Sequence, residues 1–325
     1  MKLLVTGATG FLGKYVVEEL SGQGNEVIAF GRNEKIGTAL ESPKVTFIKG
    51  DFVQVNDILN ASKQVDAVVH AGALSTVWGR WEDFYQTNVL GTKNVLAACE
   101  KNQVKRLIFI SSPSIYAAAK DQLMVNESDA PNQNNLNFYI KSKLLAEALI
   151  REQNQVDSVI LRPRGLFGIG DTSIIPRLIN VNKKIGIPLF DGGQQLVDVT
   201  CVENVALAVR LSLESPKAIG QTYNITNDEP TAFKAILDEL HQELGVPVRY
   251  LPCNYRFMYF IASSLEQIYK KLRIKKEPMF TKYTLYLLKY SQTLSLEKAK
   301  KELNYQPKMT LTEGIRKYAK HYRSN

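Results

Sequence analysis

Met1-Lys2-Leu3-Leu4-Val5-Thr6-Gly7-Ala8-Thr9-Gly10-Phe11-Leu12-Gly13-Lys14 is the stretch that decides the fold. Met1–Val5 is a short apolar run of the kind that forms a buried strand. Lys14–Leu20 can wind as a helix, and a glycine-punctuated turn joins the two. Gly7 allows the tight turn. Gly10 lets a pyrophosphate approach backbone N–H groups at the positive end of the helix, and Gly13 lets helix and strand pack closely. The spacing is G-x-x-G-x-x-G, one residue wider at its first step than the G-x-G-x-x-G fingerprint. Three glycines alone also suit a purely structural turn. Their place between a strand and a helix favours a dinucleotide site.

Composition narrows the field. The chain has 325 residues, 45% hydrophobic and 22% charged, enough to bury a sizeable core as one large α/β unit or two lobes. No uncharged apolar run reaches the ~18 residues needed to span a membrane, and Met1–Val5 reads as a strand, not a secretory leader. Cys99, Cys201 and Cys253, odd in number and far apart, suggest free thiols in a reducing cytoplasm. The histidines (His70, His241, His321) form no metal-ligand spacing with them, so no metal is expected. The net charge of +9 is concentrated in Lys270–Lys276 and Arg316–Arg323. Those cations alternate with apolar residues at helical spacing, as on a solvated amphipathic face, and no nucleic-acid motif accompanies them.

Strands are expected at Leu3–Thr6, Glu26–Phe30, Val45–Ile48, Ala67–Val69, Leu107–Ser111 and Ser158–Leu161. Helices are expected at Gly13–Ser21, Val55–Ser62, Asn88–Lys101 and Phe138–Asn154. That alternation predicts an α/β fold, a parallel sheet covered on both faces, with ligands beyond the carboxyl ends of the strands. After Arg162-Pro163, Pro and Gly become frequent and helices follow at Phe233–Leu244, Tyr255–Leu272, Leu296–Leu303 and Thr312–His321. We expect residues 1–163 to form the dinucleotide-binding domain. Residues 164–325 then form a smaller, mostly helical cap, with about 196–214 returning to the sheet.

Tyr139-Ile140-Lys141-Ser142-Lys143 places a tyrosine and a lysine at i and i+4 on one helix face. A nearby ammonium favours the phenolate, lowering a pKa of about 10 toward working pH, so that the tyrosine serves as general acid or base for a carbonyl/alcohol pair. Taken alone the pair also suits an exposed surface. It gains weight from Ser111-Ser112-Pro113-Ser114, whose hydroxyls follow the apolar strand ending at Ile110.

The chain resembles an extended short-chain dehydrogenase/reductase over almost its whole length. The pieces are TGATGFLG at 6–13, GD at 50–51, VVHAGA at 68–73, NVLGTKNVL at 88–96, FISSPSIY at 109–116, YIKSK at 139–143 and LRPRGLFGIGD at 161–171. That resemblance implies a Rossmann-type doubly wound parallel sheet with a helical substrate-binding cap. It makes Tyr139 the acid/base, Ser112 the group that hydrogen-bonds the substrate oxygen (ahead of Ser111 and Ser114), and Lys143 the residue that lowers the tyrosine pKa and binds the nicotinamide ribose. The implied cofactor contacts are Gly7, Thr9, Gly10, Phe11, Leu12, Gly13, Arg32, Asp51, Phe52, Ala71, Gly72, Ala73, Tyr139, Lys143 and Pro163. Asp51 resembles an adenine-binding aspartate, with a plain helix N-cap as its other reading. Asn88 resembles a buried asparagine tying helix to sheet.

The second strand ends Ala29-Phe30-Gly31-Arg32-Asn33, without the acid that binds the adenosine ribose hydroxyls in NAD enzymes. Arg32 can grip a 2′-phosphate through charge-assisted hydrogen bonds, or simply stand in solvent. NADP(H) is therefore favoured, with NAD(H) the alternative. Ala73–Phe84 and Arg162–Asp171 resemble the branch of 3β-hydroxysteroid dehydrogenases and 2-alkyl-3-oxoalkanoate reductases, and the cap offers Phe257, Met258, Tyr259, Phe260, Ile261, Tyr283, Tyr286, Leu287 and Leu288. Ser75, Trp78, Ser114 and Arg164 are candidate substrate contacts. Trp78 and Trp81 equally suit an apolar slot or cap packing. The apolar stripe along Tyr255–Leu272 suits a core, a substrate entrance or a membrane-facing surface beside Lys270–Lys276.

The expected activity is NADP(H)-dependent interconversion of a ketone and a secondary alcohol on a largely apolar small molecule, steroid-like or 3-oxo acyl. The rivals are a nucleotide-sugar epimerase or dehydratase retaining NAD, and a non-catalytic NADPH sensor, against which the Ser112/Tyr139/Lys143 set argues. A cytoplasmic protein is expected, with no nucleic-acid partner. The resemblance also allows a homodimer.

Overall fold

The computed structural model describes residues 1–324. The first half alternates strands and helices: β1 (Lys2–Thr6), α1 (Phe11–Gly22), β2 (Glu26–Gly31), β3 (Val45–Lys49), α2 (Val55–Ala61), β4 (Ala67–His70), α3 (Gly91–Lys101), β5 (Arg106–Ile110), α4 (Phe138–Glu152) and β6 (Asp157–Pro163). Beyond Pro163 come α5 (Ile175–Lys184), α6 (Val202–Glu214), β7 (Thr222–Ile225), α7 (Phe233–Leu244), α8 (Tyr255–Lys271), α9 (Lys282–Lys289) and α10 (Leu311–Arg323), besides shorter pieces.

Among the described residues, seven strands form one parallel sheet in the order β7-β6-β5-β4-β1-β2-β3. Strand periodicity divides each strand's residues between the sheet's faces. Leu3 and Val5 join Val16, Val17 and Leu20 of α1 and Val205 and Val209 of α6. Leu4, Val68 and Leu107 face Ile58 of α2, Val95 of α3 and Ala146 and Ile150 of α4. Because chain order reverses between β1 and β4, a crevice opens beyond their carboxyl ends.

The parallel α/β sheet expected from the alternation, and the Rossmann-type winding implied by the resemblance, are the observed ones, and the strand and helix bounds differ mostly at their ends. Two differences matter. Asn88 does not begin a regular helix: Tyr85–Leu90 is a π-helical turn leading into α3. The seventh strand, Thr222–Ile225, is hidden in the sequence because Thr222 and Asn224 interrupt its apolar pattern, yet it pairs with β6 along its length. The sheet thus recruits β7 and α6 from beyond Pro163. Arg210 of α6 anchors to Glu19 of α1 at 2.9 Å.

Under the crevice lies a buried polar knot. The Glu147 carboxylate on α4 accepts from Arg162 Nε at 2.9 Å and Nη2 at 2.7 Å on β6, and from Ser111 Oγ at 2.5 Å just after β5. Glu147 and Arg162 are both fully buried. Burial alone would raise the Glu147 carboxyl, but the hydrogen bonds and charge of Arg162, with Ser111 and Arg151, outweigh it and hold the group below its usual range. Removing one partner of such a pair strands the other's charge. Glu147→Gln should therefore lower the unfolding free energy by about 3–5 kcal/mol, read as a fall in urea midpoint. Glu147→Leu combined with Arg162→Met should recover much of that loss.

Candidate active site

The turn at 7–13 has the geometry its glycines permit. Gly7 lies at φ +71°, and a Cβ there would stand 2.6 Å from Gly72 Cα. A Cβ on Gly13 would stand 2.1 Å from the Gly7 carbonyl oxygen, so α1 rests directly on the turn. Gly10 is the N-cap of α1 in extended conformation, leaving the helix N-terminus bare of side chains at that position.

A cavity of about 1340 Å³ starts at this turn and runs to the cap. One end is walled by Gly7, Thr9, Gly10, Phe11, Leu12, Gly13, Arg32, Phe52, Ala71, Gly72 and Ala73. Its middle is walled by Ser112, Tyr139, Lys143 and Pro163, and the far end by Ser75, Ser114, Arg164, Asp198, Phe233, Met279, Phe280, Tyr283, Leu287 and Leu288. An elongated dinucleotide fits these residues: a side-chain-free glycine cradle and a helix N-terminus for the phosphates, and a cationic side chain at the outer end.

Strand ends and one helix bring the central trio together. Ser112 follows β5 and caps the 3-10 turn Pro113–Tyr116, and its Oγ lies 2.8 Å from Ser114 Oγ. Tyr139 and Lys143 sit in the first turns of α4, one turn apart on the same face. Tyr139 hydrogen-bonds Ser112, and burial pushes its phenol up to about 12 against that bond. Lys143 Nζ donates to the Ile110 carbonyl at 2.7 Å and lies 4.7 Å above the Phe109 ring. Burial pushes its ammonium down to about 8, with Glu147 opposing. Burial sets the direction of both shifts, and the Ser112 bond opposes it at the phenol. In this fold the phenol is held protonated, and the ammonium is engaged with backbone.

His70, at the end of β4, is a core residue. It lies 2.7 Å from Thr6 Oγ1 and 3.2 Å from Thr92 Oγ1, and burial, reinforced by Lys143, pushes it down to about 3, keeping it neutral. Asn88 accepts from Leu74 N at 2.8 Å and donates to Leu74 O at 3.0 Å and Ser142 Oγ at 2.9 Å. It thereby ties the loop after β4 to α4.

Three of the side chains singled out in the sequence lie off the cavity wall. Asp51 is not on the cavity wall. Its carboxylate accepts from Val53 N at 3.1 Å and lies 3.6 Å from Arg32, while the N-cap of α2 is Gln54. The N-cap reading of Asp51 is thereby set aside. Trp78 is also off the wall: it meets Tyr269 edge-on, and its Nε1 donates to Ile274 O at 3.1 Å, which makes it a cap-packing residue. Trp81 likewise packs on Tyr85 and Phe138 under Lys141. Of the cap aromatics, Tyr283 reaches the cavity, whereas Phe257 and Phe260 point to solvent.

The far end adds Asp198, which sequence reasoning did not single out, to Ser114, Arg164 and Tyr283, which it did. Asp198 is buried and its carboxyl is pushed up to about 6 by burial, against the Leu294 N–H and the charge of Arg164. Tyr283 hydrogen-bonds Ser114 and feels Arg164. Arg164 itself is 7% exposed and bonds Gln292, and among the described residues it forms no ion pair, while its Nε has no partner. No spacing in the chain brings 114, 164, 198 and 283 together. Among the described residues there is no cluster able to hold a metal and no helix long and apolar enough to cross a membrane.

Residues 3–226 match the NAD dependent epimerase/dehydratase family. The chain is 32% identical to a 2-alkyl-3-oxoalkanoate reductase of Stenotrophomonas maltophilia (strain K279a), over 98% of each chain. It is 31% identical to the decarboxylating sterol-4-alpha-carboxylate 3-dehydrogenase of Mus musculus, over 97% of this chain and 89% of that one. A UDP-glucuronic acid 4-epimerase from Bacillus cereus, solved with NAD, superposes with a TM-score of 0.78 at 21% identity, over 100% of this chain and 99% of that one, a likeness of fold alone. The chain belongs to the NAD dependent epimerase/dehydratase family, as an NAD(P)-dependent oxidoreductase of the extended short-chain dehydrogenase/reductase type.

Proposed function

We propose that this oxidoreductase uses NADP(H) to interconvert a ketone and a secondary alcohol in a largely apolar molecule carrying an acidic group, of the 3-oxo acid kind. The observation that carries the reaction is the convergence of Ser112, Tyr139 and Lys143 midway between the glycine cradle and an apolar cap. The nicotinamide nucleotide, when bound, supplies or accepts a hydride. Ser112 Oγ, oriented by Ser114, hydrogen-bonds the substrate oxygen. Tyr139 holds its proton on the phenol oxygen at neutral pH and so stands ready as the acid in the reductive direction. Lys143, one helical turn along, places a positive charge beside the phenol and favours its ionised form once the proton has left.

Cofactor choice rests on Arg32. Its guanidinium is largely exposed at the carboxyl end of β2, lines the cavity, and has only the longer 3.6 Å approach of Asp51. That leaves donors free for a 2′-phosphate. Substrate class rests on Arg164. A buried cation whose carboxylate neighbour, Asp198, interacts without a direct ion pair and is itself shifted toward the neutral form favours a ligand that brings an anion. The names of the two relatives, an oxoalkanoate reductase and a carboxylate dehydrogenase, point the same way.

Three measurements test this reading. Tyr139→Phe should lower kcat for ketone reduction by about 10²–10⁴-fold and leave NADPH binding, followed by nicotinamide fluorescence, unchanged. Near-normal turnover would remove Tyr139 from the mechanism. Arg32→Gln should raise the KM for NADPH by about ten-fold or more without changing that for NADH, and a wild-type preference for NADH would overturn the assignment. Arg164→Gln should raise the KM for a 3-oxo acid about ten-fold and spare its methyl ester. Equal effects on acid and ester would deny Arg164 its role.

A further inference from the structure

Helix α8 carries two apolar faces, and the fold uses only one. Tyr255, Met258, Tyr259 and Ala262 pack inward with Phe190 and Leu285. Phe257, Phe260 and Ile268, together with the capping Leu272, are 64%, 69%, 49% and 65% exposed. At the α-helical repeat these four fall within an arc of roughly 120°. The outward face of a surface helix is ordinarily polar, so large exposed apolar side chains along it, interrupted by Ser264 and Lys271, mark a contact surface.

The charge beside the stripe has one sign. Arg256, Lys270, Lys271, Arg273, Lys275 and Lys276 are all exposed. The one acid in the sequence between 253 and 276 is Glu266, which is buried and accepts from the Lys282 N–H. Acids on adjoining elements are already engaged: Asp83, which feels Lys275, pairs with Arg80, and Glu277 pairs with Arg177.

We propose that α8 and the basic turn after it dock on an anionic lipid bilayer. The phenylalanine, isoleucine and leucine side chains enter the boundary between headgroups and acyl chains, and the cations lie among the lipid phosphates. A second copy of this chain fits poorly, because the surface would set Lys270–Lys276 against cations of the same sign. The chain leaving α8 carries Met279, which is 47% exposed and also lines the cavity. Met279 therefore joins the cavity wall to the protein surface three residues beyond the basic turn. On the reading of an apolar substrate, that gives a route from bilayer to cavity. Docking itself does not depend on that reading and is measured by binding alone.

The test is flotation of the full chain with phosphatidylcholine vesicles containing about 30% phosphatidylglycerol, against vesicles of phosphatidylcholine alone. The expected result is retention on the anionic vesicles, weakened by salt. Lys270→Gln with Lys271→Gln should cut partitioning roughly ten- to thirty-fold, and Phe257→Ser with Phe260→Ser should reduce it at least as far. Both variants should turn over a water-soluble ketone at the wild-type rate, since none of the four residues lines the cavity. Failure of the wild-type chain to bind anionic vesicles overturns the proposal. So does a dimer in sedimentation velocity that Phe257→Ser with Phe260→Ser converts to monomer, because the face is then a self-interface. Should the phenylalanine pair lose its circular dichroism, the exposed lysine pair decides the matter, and partitioning unchanged by the lysine substitutions overturns it.

Discussion

The Glu147 carboxylate is the constraint on which the rest of the site depends. It sits four residues along α4 from Lys143 and reaches both Arg162 on β6 and Ser111 beyond β5. Three elements are thereby fixed to one buried point. Any rotation of α4 that moved Tyr139 away from Ser112 would pull the carboxylate from a fully buried guanidinium, and an unpaired charge in that setting is strongly disfavoured. Arg162 extends the knot further, contacting Tyr116 and the Glu127 carbonyl. The position of the phenol is thus set by ion pairing beneath it more than by contacts at its own level.

That rigidity gives the cavity's polar groups distinct protonation states. Burial acts in opposite directions on an acid and a base: it raises the Tyr139 phenol to about 12 and lowers the Lys143 ammonium to about 8. The phenol keeps its proton at neutral pH, and Lys143 is satisfied by the Ile110 carbonyl. His70, only a strand away, takes no part: deep burial and the Lys143 charge keep it neutral, and it lies within hydrogen-bond reach of two threonine hydroxyls.

The cap solves a different problem. It must close the far end of a large cavity with apolar side chains and still leave a way in. Phe233, Ile236 and Leu240 of α7 and Tyr283, Leu287 and Leu288 of α9 provide the wall, while α8 covers α9 from outside. A helix in that position has a face left over. Much of the chain's excess positive charge adjoins that apolar stripe, at Lys270–Lys276.

The parallel sheet, the glycine turn and the Tyr139/Lys143 pair were legible in the sequence because each is a local pattern. Strand alternation, a helix-opening turn and an i, i+4 spacing are all written in consecutive residues. Ser112 was legible for the same reason, as a hydroxyl just past an apolar strand. The strand Thr222–Ile225 was not, since its polar Thr222 and Asn224 make sense only beside β6 and Tyr116. Trp78 admitted two readings, and only its packed neighbours Tyr269 and Ile274 chose between them. Arg164, Asp198 and Tyr283 meet through chain crossings dozens of residues long. The sequence determined the chemistry that periodicity and local geometry can encode. Tertiary structure decided what burial and long-range contact control: which charges are paired, which tyrosine keeps its proton, and which apolar face is left without a partner.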